Sequence, residues 1–178
     1  KFDFDKDFPA APDGTPASKD FFAPMPSECA VGNILYSWNY AFDTRAFGGK
    51  EPTKIKDFFN TKKFPGKRAI YTSALTNLEI ALAADGVKLG DGGTRVYRKL
   101  LEDGGIDRAL AKIKKLCTDP NGGCVFWSAG AQPPELLVAG EVVMATGWNG
   151  RFFNAEVGEN APIAQVWDGQ GLDYEYFA

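Results

Sequence analysis

The chain has 178 residues, 44% hydrophobic and 24% charged, enough apolar content to bury a core and too much for a disordered tail. A formal charge of -3 and a pI near 5.1 argue against a general nucleic-acid footprint. Histidine is absent, which removes Ser-His-Asp and Cys-His catalysis together with His-ligated zinc. No apolar run reaches the roughly 18 residues of a membrane helix.

In chain order, residues 1 to 30 form an irregular, proline-rich strap, carrying Pro9, Pro12, Pro16, Pro24 and Pro26. Phe2, Phe4, Phe8, Phe21 and Phe22 are its anchors onto some surface. The charged start, Lys1-Phe-Asp-Phe-Asp-Lys-Asp, is not a signal peptide. Val31 to Phe42 is a run rich in aromatic and aliphatic residues, predicted as a buried strand. Thr53 to Phe59 is predicted as a short helix, followed by the turn Phe64-Pro65-Gly66-Lys67 and the strand Arg68 to Tyr71.

Thr72 or Ser73 is placed to cap a helix whose apolar spacing is Leu75, Leu78, Leu82, with Asp85-Gly86 as its stop. Val96 to Leu101 is helical. Ile106, Ala109, Leu110 and Ile113 form the apolar stripe of another helix, with lysines in its last turns. A strand (Cys124 to Trp127) leads through a small-residue loop to a helix from Pro133 to Ala139. A strand from Val142 to Thr146 runs into Trp148-Asn149-Gly150, which opens one more helix. Ile163 to Trp167 is the last regular strand, and Gly171 to Ala178 is extended. Strands alternating with helices predict an α/β fold on a mostly parallel sheet.

Neither glycine-rich stretch makes a phosphate loop. Gly66-Lys67 lacks the upstream glycine, and Gly90-Asp91-Gly92-Gly93 does not complete G-x-G-x-x-G. Cys117 and Cys124 flank a strong turn, Asp119-Pro120-Asn121-Gly122. That spacing suits a disulfide, with two unpaired cysteines as the alternative; it is no zinc motif, and no metal site or cofactor is expected. Cys29 is left over, read as a buried small hydrophobe or a partner for a cysteine outside this chain.

In open α/β sheets, ligands gather beyond the carboxyl ends of strands. Three strand-to-helix turns qualify: Tyr71 to Thr76, Trp127 to Gln132, and Gly147 to Gly150. Each combines small polar residues with an aromatic, which suits a pocket that orients a small ligand. Ser73 is equally well read as a helix cap, and Trp127 as core. Trp148, set between Gly147 and Asn149-Gly150, favours a pocket wall, whereas Trp38 and Trp167 are read as structural. The carboxylates, among them Asp57, Glu79, Glu135 and Glu141, fall outside these turns, and no acid–base pair stands out.

Several motifs occur in the order found in one family. Phe58-Phe-Asn-Thr-Lys-Lys-Phe-Pro-Gly-Lys-Arg68 is followed by Leu78-Glu-Ile-Ala-Leu-Ala-Ala-Asp-Gly-Val87, Gly130-Ala-Gln-Pro-Pro-Glu-Leu-Leu137, Gly140-Glu-Val142 and Trp148-Asn-Gly-Arg151. Over residues 29 to 178 the chain resembles extracellular solute-binding proteins of ABC importers, nearest to the spermidine/putrescine-type branch. The resemblance implies a type II periplasmic binding protein-like lobe, a mostly parallel sheet flanked by helices, and a chain that is only part of the protein. Residues 31–170 would form the second lobe, 1–30 a strap belonging to the missing first lobe, and 171–178 a crossing strand back to it.

The resemblance further implies a non-enzymatic carrier, periplasmic or extracellular and membrane-associated through its transporter. Its partners would be a small-molecule solute and the importer's membrane permease, with no nucleic acid, and the full-length protein would be monomeric. An enzyme or sensory domain on a similar scaffold is the alternative. The implied ligand-binding residues are Trp148, Ser73, Thr76, Tyr174, Tyr176, Trp127 and Gln132. Trp148 matches the aromatic that stacks on a polyamine's methylene chain, and Tyr174 stands where a second Trp is usual. Ser73, Thr76 and Tyr176 stand where polyamine binders carry carboxylates, so a ligand less cationic than spermidine is expected.

Overall fold

A computed structural model describes residues 1–21, 25, 27–88 and 94–177 of the chain. Phe22, Pro24, Pro26, the Gly90 to Gly93 cluster and Ala178 lie outside the described residues. The chain divides into two compact units, residues 1–36 with 173–178, and residues 37–172.

The first unit opens with a single helical turn, α1 (Phe4–Asp7), and a 3₁₀ turn at Ala17–Lys19. The strap is therefore partly regular. Its phenylalanines pack on one another: the rings of Phe2, Phe4, Phe8 and Phe21 form a chain of contacts 5.4–6.2 Å between centroids. The Ser18 hydroxyl donates to Asp5, and the Phe2 amide donates to the Glu28 carbonyl. Cys29 is exposed, contrary to its reading as a buried residue, because it sits in a polar turn beside Glu28.

The sheet is built from β1 (Val31–Asp43), β2 (Arg68–Tyr71), β3 (Cys124–Trp127), β4 (Met144–Trp148) and β5 (Ile163–Phe177). Its order is β3-β2-β4-β1-β5. The ladders β2–β3 and β2–β4 are parallel, and β1 runs antiparallel to β4. Only the second half of β1, from Ser37 on, is continuously buried. β4 ends two residues later than expected, so Trp148 is a strand residue. Trp167 lies on the edge strand β5 and is 47% exposed, so it is not part of the core.

Helices α2 (Ile55–Phe58), α3 (Asn77–Ala84), α4 (Thr94–Leu101), α5 (Gly105–Thr118), α6 (Gln132–Val138) and α7 (Asn149–Phe153) supply the connections. The main core joins Tyr40, Phe42, Phe58, Phe64, Ile70 and Met144. On α5 half of the expected stripe faces the core: Ala109 is buried and Ile113 packs against the core, but Ile106 and Leu110 do not. Gly105, Ala109 and Leu116 are buried, while Ile106 and Leu110 are each 49% exposed. Gly105 stands where α4 comes closest, and a Cβ there would meet the Lys99 carbonyl at 1.9 Å. The helix presents the face that lets α4 approach closely.

Cys117 on α5 and Cys124 on β3 form a disulfide with their Cα atoms 4.7 Å apart. Asp119 shapes the turn between them. Its carboxylate accepts from the Asn121 amide and the Thr61 hydroxyl, which hold its pKa below the usual range. Thiol titration of the unfolded, non-reduced chain should find one thiol, Cys29; finding three contradicts the bridge. Reduction should destabilise the fold by about 2.5 kcal/mol in the chain-entropy account of so short a loop.

Arg68 opens β2 and is fully buried. Its guanidinium donates to the carbonyls of Phe58 (2.9 Å), Phe64 (2.6 Å) and Gly66, closing the loop between α2 and β2 around one cation. Burial pushes its pKa down to about 10, so it stays charged at neutral pH. Truncation would orphan buried carbonyls, and Lys cannot reach all of them. Arg68→Ala should cost about 3 kcal/mol by urea unfolding, with Arg68→Lys losing most of that. A loss under about 0.5 kcal/mol, the range of ordinary surface substitutions, would contradict this role.

Candidate functional site

The parallel ladders bring the carboxyl ends of β3, β2 and β4 to one edge of the sheet, and β1 passes beside them in the opposite direction. Each of these strands places one aromatic residue there. Tyr71 is opposite Trp127 in the β2–β3 register, and Trp38 is opposite Trp148 in the β1–β4 register. Cross-strand partners share a face and lie within side-chain reach. Trp127, Tyr71, Trp148 and Trp38 thus follow one another across neighbouring strands.

Their rings form one cluster. Centroid distances are 4.5 Å for Tyr71–Trp127, 5.4 Å for Trp38–Tyr71, 5.4 Å for Trp38–Trp148 and 5.6 Å for Trp127–Trp148. Trp127 is nearly stacked on Trp38, at 27°, while Trp148 meets both edge-on. Such pairs are favourable by about 0.5–1.5 kcal/mol beyond their buried area. Trp127 and Trp38 are 0% and 3% exposed, so they back the cluster; Tyr71 and Trp148 are partly exposed and present its surface. The indole N–H groups of Trp38 and Trp127 are buried with no hydrogen-bond acceptor among the described residues. A buried donor without an acceptor costs about 1–3 kcal/mol.

The turns that carry the rings are tied down by amides. Asn77, the first residue of α3, donates its side-chain N–H groups to the carbonyls of Tyr71 (2.6 Å) and Ser73 (2.7 Å). This holds residues 72–76 outside the helix, which explains why α3 starts at Asn77 and not after Ser73. The Ser73 hydroxyl accepts from the Leu75 amide, and Leu75 is 51% exposed instead of joining the apolar face. Thr76 bends the chain into the helix at φ +66°, a conformation strained for a β-branched residue.

Gln132 is occupied in the same way. Its side-chain oxygen accepts from the amides of Ser128 and Ala129, both at 2.8 Å, and so shapes the β3–α6 loop. Asn149, after Trp148, accepts from the Ser37 amide at 2.8 Å and fastens the β4–α7 turn to β1. Arg151 is exposed. Tyr174 and Tyr176 belong to the first unit, where their rings stack 6.1 Å apart and are about 40% exposed.

Ser73, Thr76, Trp127, Gln132 and Trp148 therefore lie on adjacent strand ends of one unit. Tyr71 and Asn149, which lie in the candidate turns, Trp38, which was read as structural, and Asn77, which the sequence did not mark, complete the arrangement. Only the strand register, read with the hydrophobic run of β1, could have paired Trp38 with Trp148. No group of three or more acidic or cysteine side chains is placed to hold a metal ion among the described residues. The arrangement offers an apolar, aromatic surface bordered by hydroxyl and backbone polar groups. It suits stacking against a short hydrocarbon body while hydrogen bonds orient a polar end.

Comparison with known proteins places the chain. The profile of the family described as bacterial extracellular solute-binding protein matches residues 6–178. A γ-aminobutyric acid-binding protein of Pseudomonas aeruginosa is 41% identical over 152 residues, covering 85% of this chain and 40% of that protein. Among solved structures, the periplasmic binding protein MotA from A. tumefaciens B6 in complex with glucopine superposes with a TM-score of 0.73 at 30% identity. That match covers 88% of this chain and 48% of MotA. A receptor for γ-aminobutyric acid superposes with a TM-score of 0.70 at 29% identity, covering 84% of this chain and 42% of the receptor. The chain thus spans less than half the length of these relatives. The fold is the α/β lobe of a periplasmic binding protein, and the chain belongs to the family of bacterial extracellular solute-binding proteins.

Proposed function

We propose that the chain is the greater part of one lobe of an ABC importer's substrate-binding protein, and that its aromatic strand-end cluster forms one wall of the solute cleft. Residues 31–170 are the second lobe, while the strap of residues 1–30 and the end of β5 from 171 to 178 belong with the other lobe. The protein acts outside the cytoplasm, as a monomer, and delivers its solute to a membrane permease.

The observation that carries this reading is the row of four rings on adjacent strand ends, with Trp148 and Tyr71 partly exposed, in a chain of a solute-binding family. Trp148 receives the solute's hydrocarbon body. The Ser73 and Thr76 hydroxyls border the polar end, and Trp127 and Gln132 hold the wall in place behind and beside them.

The solute is a short amino acid with its amine and carboxylate at opposite ends, γ-aminobutyric acid being the nearest example. None of the three turns contains Asp or Glu, so this wall gives no partner to the ammonium groups of a polyamine. An unpaired buried ammonium is costly, whereas a carboxylate is satisfied by hydroxyl and amide donors. The 41% identity to a γ-aminobutyric acid-binding protein over most of this chain supports the same class.

Calorimetry on the full-length protein should give tighter binding of γ-aminobutyric acid than of putrescine or spermidine. Trp148→Ala should weaken that binding at least tenfold, about 1.4 kcal/mol. Selective binding of spermidine, or full affinity in Trp148→Ala, would contradict the assignment. Residues 1–178 alone should bind at least tenfold more weakly than the full-length protein, because a cleft between lobes takes contacts from both. Equal affinities would place the whole site within this chain.

A further inference from the structure

Gly130 lies in the β3–α6 loop, against the indole of Trp148. A Cβ at this position would stand 2.1 Å from Trp148 Cζ3, 2.4 Å from Cε3 and 3.4 Å from Cη2. All three nearest atoms belong to that one ring. The backbone of Gly130 is not in the left-handed region, so its conformation is open to alanine and only the ring forbids a side chain. The ring has little room to yield, with Trp38, Trp127 and Tyr71 at 5.4, 5.6 and 6.3 Å from its centroid. The loop is also held from its other end, where the Gln132 side chain accepts from the amides of Ser128 and Ala129.

We infer that Gly130 is a positioning residue for solute recognition. By presenting bare backbone it lets the Cε3–Cζ3 edge of the Trp148 indole reach the β3–α6 loop, and so sets the depth and tilt of the aromatic wall. A methyl group here would push the indole by about 1 Å or more to restore ordinary contact near 3.5–4.0 Å. The wall would narrow for a solute that needs the present depth. Selectivity is thereby adjustable at a position that touches no solute. This inference rests on the reading of Trp148 as the solute-facing ring.

The test is a double-mutant cycle in the full-length protein with Gly130→Ala, Trp148→Ala and the pair together. Near-ultraviolet circular dichroism without solute reads ring position, and calorimetry with γ-aminobutyric acid reads recognition. Gly130→Ala should change the tryptophan dichroism and weaken binding at least tenfold, but cost no further affinity in the Trp148→Ala background. An unchanged spectrum, or a full additional loss in that background, overturns the positioning role. A changed spectrum with unaltered affinity in both single variants instead overturns the reading of Trp148 as a solute contact, and the inference falls with it. If Gly130→Ala alone does not fold, adding Trp148→Leu should restore folding, since the clash is with that ring; failure of the pair overturns the inference.

Discussion

Three strands hydrogen-bonded in parallel must end at the same edge of their sheet, and the site depends on that constraint. β3, β2 and β4 each leave the sheet there through a short turn into a helix. Whatever their last residues carry is brought together, which is why ligands gather at such edges in α/β folds. Here the last residues are Trp127, Tyr71 and Trp148, and antiparallel β1 slides Trp38 into the same row. The aromatic cluster is therefore a consequence of topology and register, not of a local motif.

Such a surface is useful only if its loops do not wander. The tethers are polar and short-range. Asn77 gathers the β2–α3 turn, Gln132 the β3–α6 loop, and Asn149 pins the β4–α7 turn to β1. At the opposite end of the same strands, Arg68 closes the loop before β2 and the Cys117–Cys124 bridge fixes the entry to β3. The strands are clamped where they begin, and their turns are tied where they end. The positive φ of Thr76 places backbone strain at the same edge.

Much of this was legible in the residues. The β2 and β3 boundaries follow directly from their apolar runs and flanking turns, and the three strand-to-helix turns are the ones the structure brings together. The ordered motifs identify the family. The motif from Phe58 to Arg68 acquires its reason only in three dimensions, where the arginine binds carbonyls from its own motif. Other features were hidden because they depend on partners distant in sequence. Trp38 is core, as its run suggests, but only the β1–β4 register sets it beside Trp148. Ile106 and Leu110 read as buried, but α5 sets Gly105 where α4 comes closest and leaves both half exposed. The part Gln132 plays in shaping its own loop, its oxygen accepting from two amides there, was not readable from its place in the motif. Gly130 is visible in the sequence only as part of a turn and a motif; the contact that makes it matter is the ring that covers it.

The most direct measurement is a crystal structure of the full-length protein with γ-aminobutyric acid bound. The account predicts the solute's methylene carbons in contact with the Trp148 indole, within about 4.5 Å. Its carboxylate should be oriented by hydroxyl or amide donors at the ends of β2, β3 and β4. A solute bound away from this edge, with no atom touching Trp148 or Tyr71, would contradict it.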